Sequence, residues 1–418
     1  MAAAAGSDPH LLVVGASLAG LRAVESARRT GFTGAITLVG AEAHLPYDRP
    51  PLSKEFLTSE GEPSPTVLRD EAVLRDDLGV TLRLQTRATG LDPERRVVVT
   101  DAGEIGFTSL VIATGASPRT LPGADRLSGV HVLRTLDDAR SIRAALDAGA
   151  RTVVVGAGFI GSEIAASARA RGCEVTVVEA LPTPLARPVG EEMGLVLAGL
   201  HERNGTTLRV GVGVEGLDGD DAVRAVRLAD GTSIDAELVV VGIGVTPNTC
   251  WLADSGLEIG DGIECDETLC AGVEGIYAAG DIARWHNPTF ERRMRLEHWT
   301  IAAEQGGIAG RNAADPAHAV PFETVPYFWS DWYGKRIQFV GIAADADEIS
   351  TVAGDVDGDT FVTLYRRGER LVGALALEQR SAIMKYRGLL ATGASWEDAL
   401  AFAKDRAEKL AAKAAATQ

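Results

Sequence analysis

The chain reads LLVVGASLAG at residues 11–20 and VVVGAGFIG at residues 153–161. Each stretch is an apolar run that ends at a glycine and continues into an alanine-rich segment, which predicts a strand, a tight turn and a helix. Such a turn points backbone N–H groups and the positive end of a helix at a pyrophosphate. One turn of this kind is weak evidence. Two in one chain predict two dinucleotides, with hydride or electrons passing between them.

Length and charge set broad limits on this reading. A chain of 418 residues is long enough for two or three domains. The net charge of −17 argues against a general nucleic-acid binder. The four cysteines suit a reduced, cytoplasmic protein better than a disulfide framework. No signal-peptide pattern and no long apolar stretch is present in the sequence, so we expect no membrane span.

The order of the apolar segments predicts how the domains are connected. Residues 10–40 and 151–179 each read as strand, helix and strand, and a further buried strand is expected at 238–244. The segment 275–281 then returns to complete the first of these units. The second dinucleotide unit is therefore predicted to be inserted in the first.

The remaining segments follow two other patterns. Residues 41–65 carry five prolines and no clean periodicity, so we expect an extended excursion. From about residue 322, aromatic residues cluster and alternating segments follow, which predicts an antiparallel sheet with closing helices. The resulting boundaries are 1–118 and 247–321 for the first domain, 119–246 for the second and 322–418 for the third.

Several motifs now carry a specific resemblance. They are YDRPPLSK at 47–54, ATG at 113–115, LRT at 133–135, GAGFIGSE at 156–163, AGD at 279–281, EHW at 297–299 and FWSD at 328–331. Together they resemble the ferredoxin reductases of bacterial monooxygenase and dioxygenase systems, over nearly the whole chain. The resemblance implies an α/β fold of the glutathione-reductase type: two Rossmann-like dinucleotide-binding domains plus a C-terminal α+β domain.

The resemblance assigns FAD to the first glycine turn. Gly15 makes the tight turn and Gly20 allows the helix to approach the strand, whereas Ser17 replaces the usual middle glycine. An acidic residue is expected directly after the second strand, but none stands at the usual position. Glu42, slightly further along the chain, is the candidate for binding the adenosine ribose. By resemblance, the further FAD-binding residues are Ala16, Ala19, Arg49, Lys54, Ala88, Thr114, Gly115, Arg134, Asp281 and Trp299.

The second turn is assigned to NADH. Gly156, Gly158 and Gly161 complete its glycine pattern, and Glu179 closes the next strand, where an acid accepts hydrogen bonds from the ribose hydroxyls. A carboxylate there repels a 2′-phosphate, which favours NADH over NADPH. By resemblance, the further NADH-binding residues are Phe159, Ile160, Glu163 and Gly244.

Three residues are predicted to carry the chemistry, again by resemblance. Lys54 and Glu163 form an ion pair beside the reactive edge of the flavin, where a cation stabilises its anionic reduced form. Trp329 lies next to the flavin and faces the electron acceptor. Trp332 stands where relatives commonly carry a polar residue, which bears on partner choice. A positive patch for an acidic partner is also expected, formed by Arg292, Arg293, Arg295, Lys335 and Arg336.

The nature of the electron acceptor follows from the cysteines. The first 172 residues contain none, so the flavin-adjacent dithiol of the disulfide reductases is missing. The predicted function is hydride transfer from NADH to FAD, then single electrons to an iron–sulfur ferredoxin that supplies a cytochrome P450 or a ring-hydroxylating oxygenase. The protein is expected to be a monomer or weak dimer. Alternatives are a nitrite-reductase-type or rubredoxin-type reductase, and a nucleotide-switched redox-sensing interaction protein of the apoptosis-inducing-factor type.

Overall fold

A computed structural model describes residues 8–61 and 63–417 of the chain. The described residues divide into two compact units, each built from separate stretches of sequence. The first unit takes its residues from Met1–Asp48, Ser64–Ser117 and Val245–Thr324. The second takes them from Arg49–Pro63, Pro118–Gly244 and Val325–Gln418.

The first unit is centred on a five-stranded parallel sheet. Its strands, in spatial order, are Ile276–Ala278, Ser109–Ile112, His10–Val14, Ala35–Val39 and Val80–Arg83. Nearly all of these residues are buried, as expected for a parallel sheet covered on both faces. The strand from the 275–281 segment completes this sheet, which confirms the predicted return of the chain.

Two helices of the first unit pack closely. They span Leu18–Arg29 and Trp299–Ala314. A Cβ at Gly306 would lie 2.3 Å from the Ala19 carbonyl oxygen, and one at Gly310 would lie 2.1 Å from that of Ala23. The two glycines therefore allow the backbones to approach, which fixes the position of the helix that follows the first glycine turn.

Smaller elements complete the first unit. A three-stranded antiparallel sheet contains Ala88–Asp92, Val97–Thr100 and Gly103–Gly106. A four-stranded sheet contains Ile259–Gly260, Gly262–Glu264, Ala283–Asn287 and Arg292–Met294. Short helical turns lie at Val73–Asp77, Cys250–Leu252 and Pro316–His318. Two further short strands, Ala116–Pro118 and Val245–Pro247, lie where the chain changes unit.

The second unit contains its own parallel sheet. The strands, in spatial order, are Thr207–Val210, Val175–Glu179, Thr152–Val155, Leu238–Val241 and Val130–His131. Its helices are Leu136–Asp147, Phe159–Ala170, Ala186–Val189 and Glu191–Arg203, with a short turn at Ala124–Arg126. An antiparallel sheet packs against this parallel sheet and shares a hydrophobic core with it. Its strands are Val214–Gly219, Val223–Leu228 and Ser233–Asp235. The strand–turn–helix prediction for 151–179 is thus confirmed.

The C-terminal stretch of the second unit forms a five-stranded antiparallel sheet with two helices. The strands, in spatial order, are Tyr327–Trp332, Lys335–Gly341, Arg370–Leu377, Thr360–Arg367 and Glu348–Asp355. The helices are Arg380–Ala391 and Trp396–Thr417. The predicted fold class is therefore confirmed, whereas the exact domain boundaries stay a prediction.

The segment 41–65 differs from the expected extended excursion. Pro50–Ser53 forms a 3₁₀ turn and Glu55–Thr58 a short helix. Pro50 and Pro51 are compatible with this because they occupy the first positions of the 3₁₀ turn, where no N–H donor is needed. The buried guanidinium of Arg143 donates hydrogen bonds to the backbone carbonyls of Phe56 and Ser59, at 2.6 and 2.7 Å, so the end of the segment is held in place.

Neither a membrane-spanning helix nor a cluster of metal-ligating side chains is found among the described residues. Among the described helices, none is both long and apolar enough to cross a membrane. Within residues 8–61 and 63–417, no group of three or more His, Cys, Asp or Glu side chains is arranged to hold a metal ion.

Candidate active site

The first glycine turn leaves no room for side chains at two positions. Gly15 has φ +123°, and a Cβ there would lie 2.1 Å from the Ala113 carbonyl oxygen. A Cβ at Gly20 would lie 1.9 Å from the carbonyl oxygen of Gly15. The helix therefore starts directly against the strand, which is the geometry that brings backbone N–H groups to a pyrophosphate.

The helix behind this turn begins without a side-chain cap. Ser17 is its N-cap in extended conformation, and the Ser17 side chain makes no capping hydrogen bond to the first turn of the helix. The first N–H groups of a helix have no partner within it, so they need an acceptor from elsewhere. The serine that replaces the middle glycine thus leaves the anion-binding end of the helix available.

Other predicted residues of the first unit lie in loops or, for Trp299, at the start of a helix. The Tyr47 hydroxyl donates to the Glu42 carboxylate at 2.6 Å, so Glu42 is held by a neighbour. The indole of Trp299 donates to Asp48 at 2.6 Å, at the start of its helix. The Arg295 guanidinium donates to the backbone carbonyl of Asp281 at 3.0 Å.

Three predicted residues of the first unit follow or begin strands. Thr114 and Gly115 lie just beyond the strand Ser109–Ile112 of the parallel sheet, and Ala88 begins a strand of the small antiparallel sheet. The side-chain amide of Asn248 donates to the Thr114 carbonyl at 2.8 Å, and the Thr114 hydroxyl donates to the Asn248 carbonyl at 3.2 Å. Asn248 was missed from the sequence, because nothing local links residues so far apart in the chain.

The second glycine turn repeats the geometry of the first. Gly156 has φ +103°, and a Cβ there would lie 2.3 Å from the Gly242 carbonyl oxygen. A Cβ at Gly161 would lie 2.1 Å from the carbonyl oxygen of Gly156. Around Gly158, by contrast, no described atom lies within 4 Å of a Cβ position, and the neighbouring Ile160 is 47% exposed. The turn is therefore tight beneath and open above.

Glu179 lies over the second turn. One of its carboxylate oxygens accepts the Ala157 N–H at 2.8 Å, and the other accepts the Leu181 N–H at 2.9 Å. The acid is thereby fixed at the end of its strand, at the position predicted for ribose recognition. Gly244 lies just after the strand Leu238–Val241 in an exposed, positive-φ conformation.

The side chain of Phe159, which was predicted to contact the nucleotide, points toward the protein core. Its ring lies 4.6 Å from that of Phe328 and 6.3 Å from that of Trp332, measured between centroids. The ring therefore packs against the core of the second unit. The part of Phe159 that can face an anion is its backbone N–H at the start of the helix.

The predicted Lys54–Glu163 ion pair is present. The Lys54 ammonium lies 2.8 Å from a Glu163 carboxylate oxygen, and Glu163 is only 2% exposed. The same carboxylate accepts hydrogen bonds from the Ser53 and Ser330 hydroxyls, each at 2.5 Å. Both serines belong to motifs that the sequence singled out, yet their contact with Glu163 was missed because it joins residues more than a hundred positions apart.

Arg49 and Arg134 are also brought together. The Arg49 guanidinium donates to the backbone carbonyl of Arg134, just before the helix Leu136–Asp147. That helix begins with a capping box in which Thr135 and Asp138 exchange hydrogen bonds. The sequence named both arginines, and the structure links them through the backbone of one of them.

The strand Tyr327–Trp332 presents two different faces. Phe328, Ser330 and Trp332 are buried, whereas Tyr327, Trp329 and Asp331 are partly exposed. The rings of Tyr327 and Trp329 stack with centroids 5.9 Å apart. Trp329 is thus on the accessible face, as an electron exit requires.

Trp332, which stands in place of a commonly polar residue and was connected with partner choice, lies inside the protein. It is fully buried within the core of the second unit, and its indole donates to the Ser330 hydroxyl at 2.8 Å. A side chain in this position cannot select a partner by contact. The two-residue period of the strand places it on the same face as Phe328, which is the signal that identifies it as a core residue.

The predicted basic patch is largely neutralised. Lys335 lies 3.2 Å from an Asp359 oxygen, and Arg336 makes a two-pronged ion pair with Asp331 at 2.6 and 2.8 Å. The remaining partners of the patch are Glu264 for Arg293, and Asp261 and Glu297 for Arg295. Since these charges are matched locally, the patch is a weaker attractor than its residues suggested.

The cysteines of the described chain are all free thiols. Burial raises the pKa of both Cys265 and Cys270. Their sulfurs lie 3.4 Å from the backbone carbonyl oxygens of Ile263 and Val273. Because the thiolate is the reactive form, this environment does not suit a redox pair.

A buried histidine was missed from the sequence. His201 is fully buried, with one ring nitrogen 3.1 Å from the Ser162 hydroxyl and the other 2.8 Å from the Tyr333 hydroxyl. Burial lowers its pKa to about 4. The ring is therefore neutral near pH 7, and it joins the helix Glu191–Arg203 to the C-terminal sheet.

Comparison with known proteins adds a family match over most of the chain. The pyridine nucleotide-disulphide oxidoreductase family matches residues 9–306, and the reductase C-terminal family matches residues 327–413. Rhodocoxin reductase of Rhodococcus erythropolis is 38% identical over 387 residues, which is 91% of this chain and 89% of that protein.

A second relative and a solved structure agree with this. The ferredoxin–NAD(+) reductase component of the p-cumate 2,3-dioxygenase system of Pseudomonas putida is 39% identical, covering 84% of this chain and 85% of its own. The crystal structure of the covalent putidaredoxin reductase–putidaredoxin complex matches with a TM-score of 0.87 at 31% identity, covering 92% of this chain and 93% of that chain.

Proposed function

The chain belongs to the pyridine nucleotide-disulphide oxidoreductase family, and we propose that it is an NADH-dependent ferredoxin reductase with FAD as its cofactor. Bound FAD takes up the electron pair of a hydride and releases electrons singly, which matches a two-electron donor to a one-electron acceptor. The observation that carries the proposal is the presence of two tight glycine turns, each before an uncapped helix.

The residues present fit FAD at the first turn. The turn of Gly15 and Gly20 leaves room for backbone approach alone, and the Ser17 side chain makes no capping hydrogen bond at the helix start. We assign the pyrophosphate to this helix start, with Ala16 and Ala19 beside it. The further FAD contacts that we propose are those of Glu42, Arg49, Lys54, Ala88, Thr114, Gly115, Arg134, Asp281 and Trp299.

The second turn fits NADH. The open space above Gly158 suits a pyrophosphate, and the fixed carboxylate of Glu179 suits the two hydroxyls of an adenosine ribose. A 2′-phosphate would meet this carboxylate, so NADPH is disfavoured. Ile160 and Gly244, both exposed, complete the surface that we assign to the nucleotide.

Lys54 and Trp329 receive the two remaining roles. The Lys54 ammonium, held by Glu163, supplies a fixed positive charge that favours the anionic reduced state of a flavin. Trp329, on the accessible face of its strand, is the proposed exit for electrons. Neither Lys54 nor Glu163 is assigned a proton-transfer role, because hydride transfer from a bound nicotinamide to a bound flavin would require no general acid or base.

The acceptor is an iron–sulfur ferredoxin, in line with the family. We propose that this ferredoxin supplies a cytochrome P450 or a ring-hydroxylating oxygenase, and that the enzyme is a cytoplasmic monomer or weak dimer. Support for an external carrier is the absence of cysteine from the first 172 residues, together with raised pKa values at Cys265 and Cys270.

The test is NADH-driven reduction of purified carriers. Holoenzyme should reduce a [2Fe–2S] ferredoxin from a monooxygenase or dioxygenase system at a rate well above that for rubredoxin. Rapid turnover with ferricyanide but none with ferredoxins would redirect the assignment to another carrier. Failure to turn over, with a long-lived charge-transfer complex after NADH addition, would favour a redox-sensing protein instead.

A further inference from the structure

The Glu163 carboxylate makes more contacts than an ion pair needs. One oxygen accepts from the Ser53 hydroxyl at 2.5 Å and lies 2.8 Å from the Lys54 ammonium. The other accepts from the Ser330 hydroxyl at 2.5 Å and from the Asp331 N–H at 3.4 Å. Each oxygen therefore has two donors, and they come from two distant stretches of the chain.

The hydroxyl proton of Ser330 has a defined direction, toward the Glu163 carboxylate. The Trp332 indole N–H, which can donate but not accept, points at the Ser330 oxygen from 2.8 Å. That oxygen must therefore accept from Trp332, and its own proton is directed to Glu163. Ser330 and Trp332 are both fully buried, so water cannot compete for this arrangement.

We call the Glu163 carboxylate and its four donors, on Ser53, Lys54, Ser330 and Asp331, the Glu163 clamp. The clamp connects two segments that carry proposed functions. Ser53 precedes Lys54, and its backbone carbonyl accepts a further hydrogen bond from the Ser167 hydroxyl at 2.7 Å. Ser330 follows Trp329 on the same strand, with its side chain on the opposite face. The Glu163 carboxylate is thus the point at which the lysine-bearing turn and the tryptophan-bearing strand are joined.

We propose that Ser53 and Ser330 are positioning residues that fix the Glu163 carboxylate, so that Lys54 is held in one orientation and coupled to the strand of Trp329. The inference rests on the proposed function, because it gives the lysine its task. A buried carboxylate with fewer donors would adopt several orientations, and a shift of the cation by about 1 Å lowers the rate of a step that depends on it.

The test uses the FAD-loaded enzyme with Ser330→Ala and, on the other carboxylate oxygen, Ser53→Ala. Each should slow the limiting rate of flavin reduction by NADH about tenfold, the loss expected for one hydrogen bond to a charged group, with less than about a twofold change in the NADH dissociation constant. Ser330→Thr and Ser53→Thr keep the hydroxyl and should restore most of the rate.

A second readout does not depend on activity. In hydrogen exchange, Ser330→Ala should increase exchange both around Asp331 and in the segment 53–58, because the clamp joins them. The matched control is Thr363→Val: this hydroxyl is buried in the same sheet and bonds Thr351 at 2.9 Å. It should change neither the flavin reduction rate nor exchange in 53–58.

Distinct results overturn the clamp and the function. A parent enzyme that reduces ferredoxin, with both alanine variants as fast as Thr363→Val, removes the positioning role and leaves the function intact. If hydrogen exchange in Ser330→Ala increases only around residue 330 and not in the segment 53–58, the proposed coupling between the two segments is wrong. A parent protein whose flavin is not reduced by NADH overturns the proposed function, whereas the exchange experiment still decides whether the clamp joins the two segments.

Discussion

The Glu179 carboxylate accepts the Ala157 N–H at 2.8 Å, so the acid that ends one strand closes over the glycine turn that ends its neighbour. The two residues lie 22 positions apart, and the parallel pairing of their strands brings them together. The carboxylate is held in place before any nucleotide arrives. Preorganisation of this kind favours a ligand with two free ribose hydroxyls and disfavours one with a phosphate.

Nucleotide preference follows from this contact. The parent enzyme should use NADH at least roughly tenfold more efficiently than NADPH, because a carboxylate facing a phosphate is repulsive. Glu179→Ala should narrow the gap, measured as the ratio of kcat/KM for the two nucleotides. Glu174→Ala removes an exposed carboxylate at the other end of the same strand region and should leave the ratio unchanged. Equal use of both nucleotides by the parent contradicts the assignment.

Cofactor retention depends on Gly15. The purified protein should be yellow, and acid precipitation should release FAD into the supernatant, since no covalent attachment is expected. Gly15→Ala should yield protein with little or no FAD, because its Cβ would meet the Ala113 carbonyl oxygen at 2.1 Å.

Gly103→Ala provides the control for backbone strain. Gly103 has φ +110°, close to the +123° of Gly15, but no described atom lies within 4 Å of its Cβ position. This variant should bind FAD like the parent, measured by the ratio of flavin to protein absorbance. Full FAD content in Gly15→Ala would show that the first turn does not hold the cofactor.

The glycine turns were predictable from sequence, whereas the Glu163 clamp was not. A turn such as that at Gly156 is encoded locally, by a strand, a glycine with positive φ and a helix start. The contact between Ser330 and Glu163 joins residues 167 positions apart, and neither residue carries a local signal for it. Trp332 is an intermediate case: the two-residue period of its strand identifies a buried position, whereas the sequence analysis noted only that a tryptophan replaces a commonly polar residue.

The stability of the protein should decrease as the pH is lowered, because of His201. Burial lowers the pKa of this ring to about 4, against about 6.5 in an unfolded chain. Between these values the unfolded chain binds a proton that the folded protein does not, so stability is lost as the pH falls from about 6.5 to about 4. The full loss is on the order of 3 kcal/mol. The Tyr333 hydroxyl facing the ring stays neutral here, since burial raises its pKa to about 12.

Two variants test this contribution. His201→Gln removes the titrating ring, so its free energy of unfolding, measured with denaturant, should depend less on pH between about 6.5 and 4 than that of the parent. His298, whose pKa burial also lowers to about 4, contributes to both proteins alike. His318→Gln changes an exposed ring and should reproduce the pH dependence of the parent. Parallel curves for His201→Gln and the parent contradict the prediction.

The basic residues near the C-terminal sheet should act modestly on partner binding. Lys335 and Arg336 each face a carboxylate, from Asp359 and Asp331. Lys335→Glu should raise the KM for ferredoxin by a few-fold at low salt, and the effect should disappear as salt screens the charge. Lys409→Glu, on the final helix, is the matched exposed lysine that pairs with an acid. An equal effect of both substitutions would indicate a response to net charge alone.

The proposed role of Trp329 as the electron exit predicts different effects on the two half-reactions. Trp329 lies on the accessible face of its strand, stacked on Tyr327, so Trp329→Ala should slow reduction of ferredoxin by about tenfold or more through loss of one aromatic contact with the partner. Reduction of the flavin by NADH should keep its rate, because the Lys54–Glu163 pair is held by Ser53 and Ser330 and not by the tryptophan ring.

Stopped-flow measurement separates the two half-reactions of this variant. Trp329→Phe retains an aromatic ring and should recover part of the ferredoxin rate, whereas Tyr327→Phe removes only the hydroxyl that accepts from Gln338 at 2.7 Å and should behave like the parent. If Trp329→Ala slows both half-reactions equally, the residue supports the fold of the sheet and the exit lies elsewhere. If only the ferredoxin half-reaction slows, electrons leave through the face of the strand that Trp329 shares with Tyr327 and Asp331.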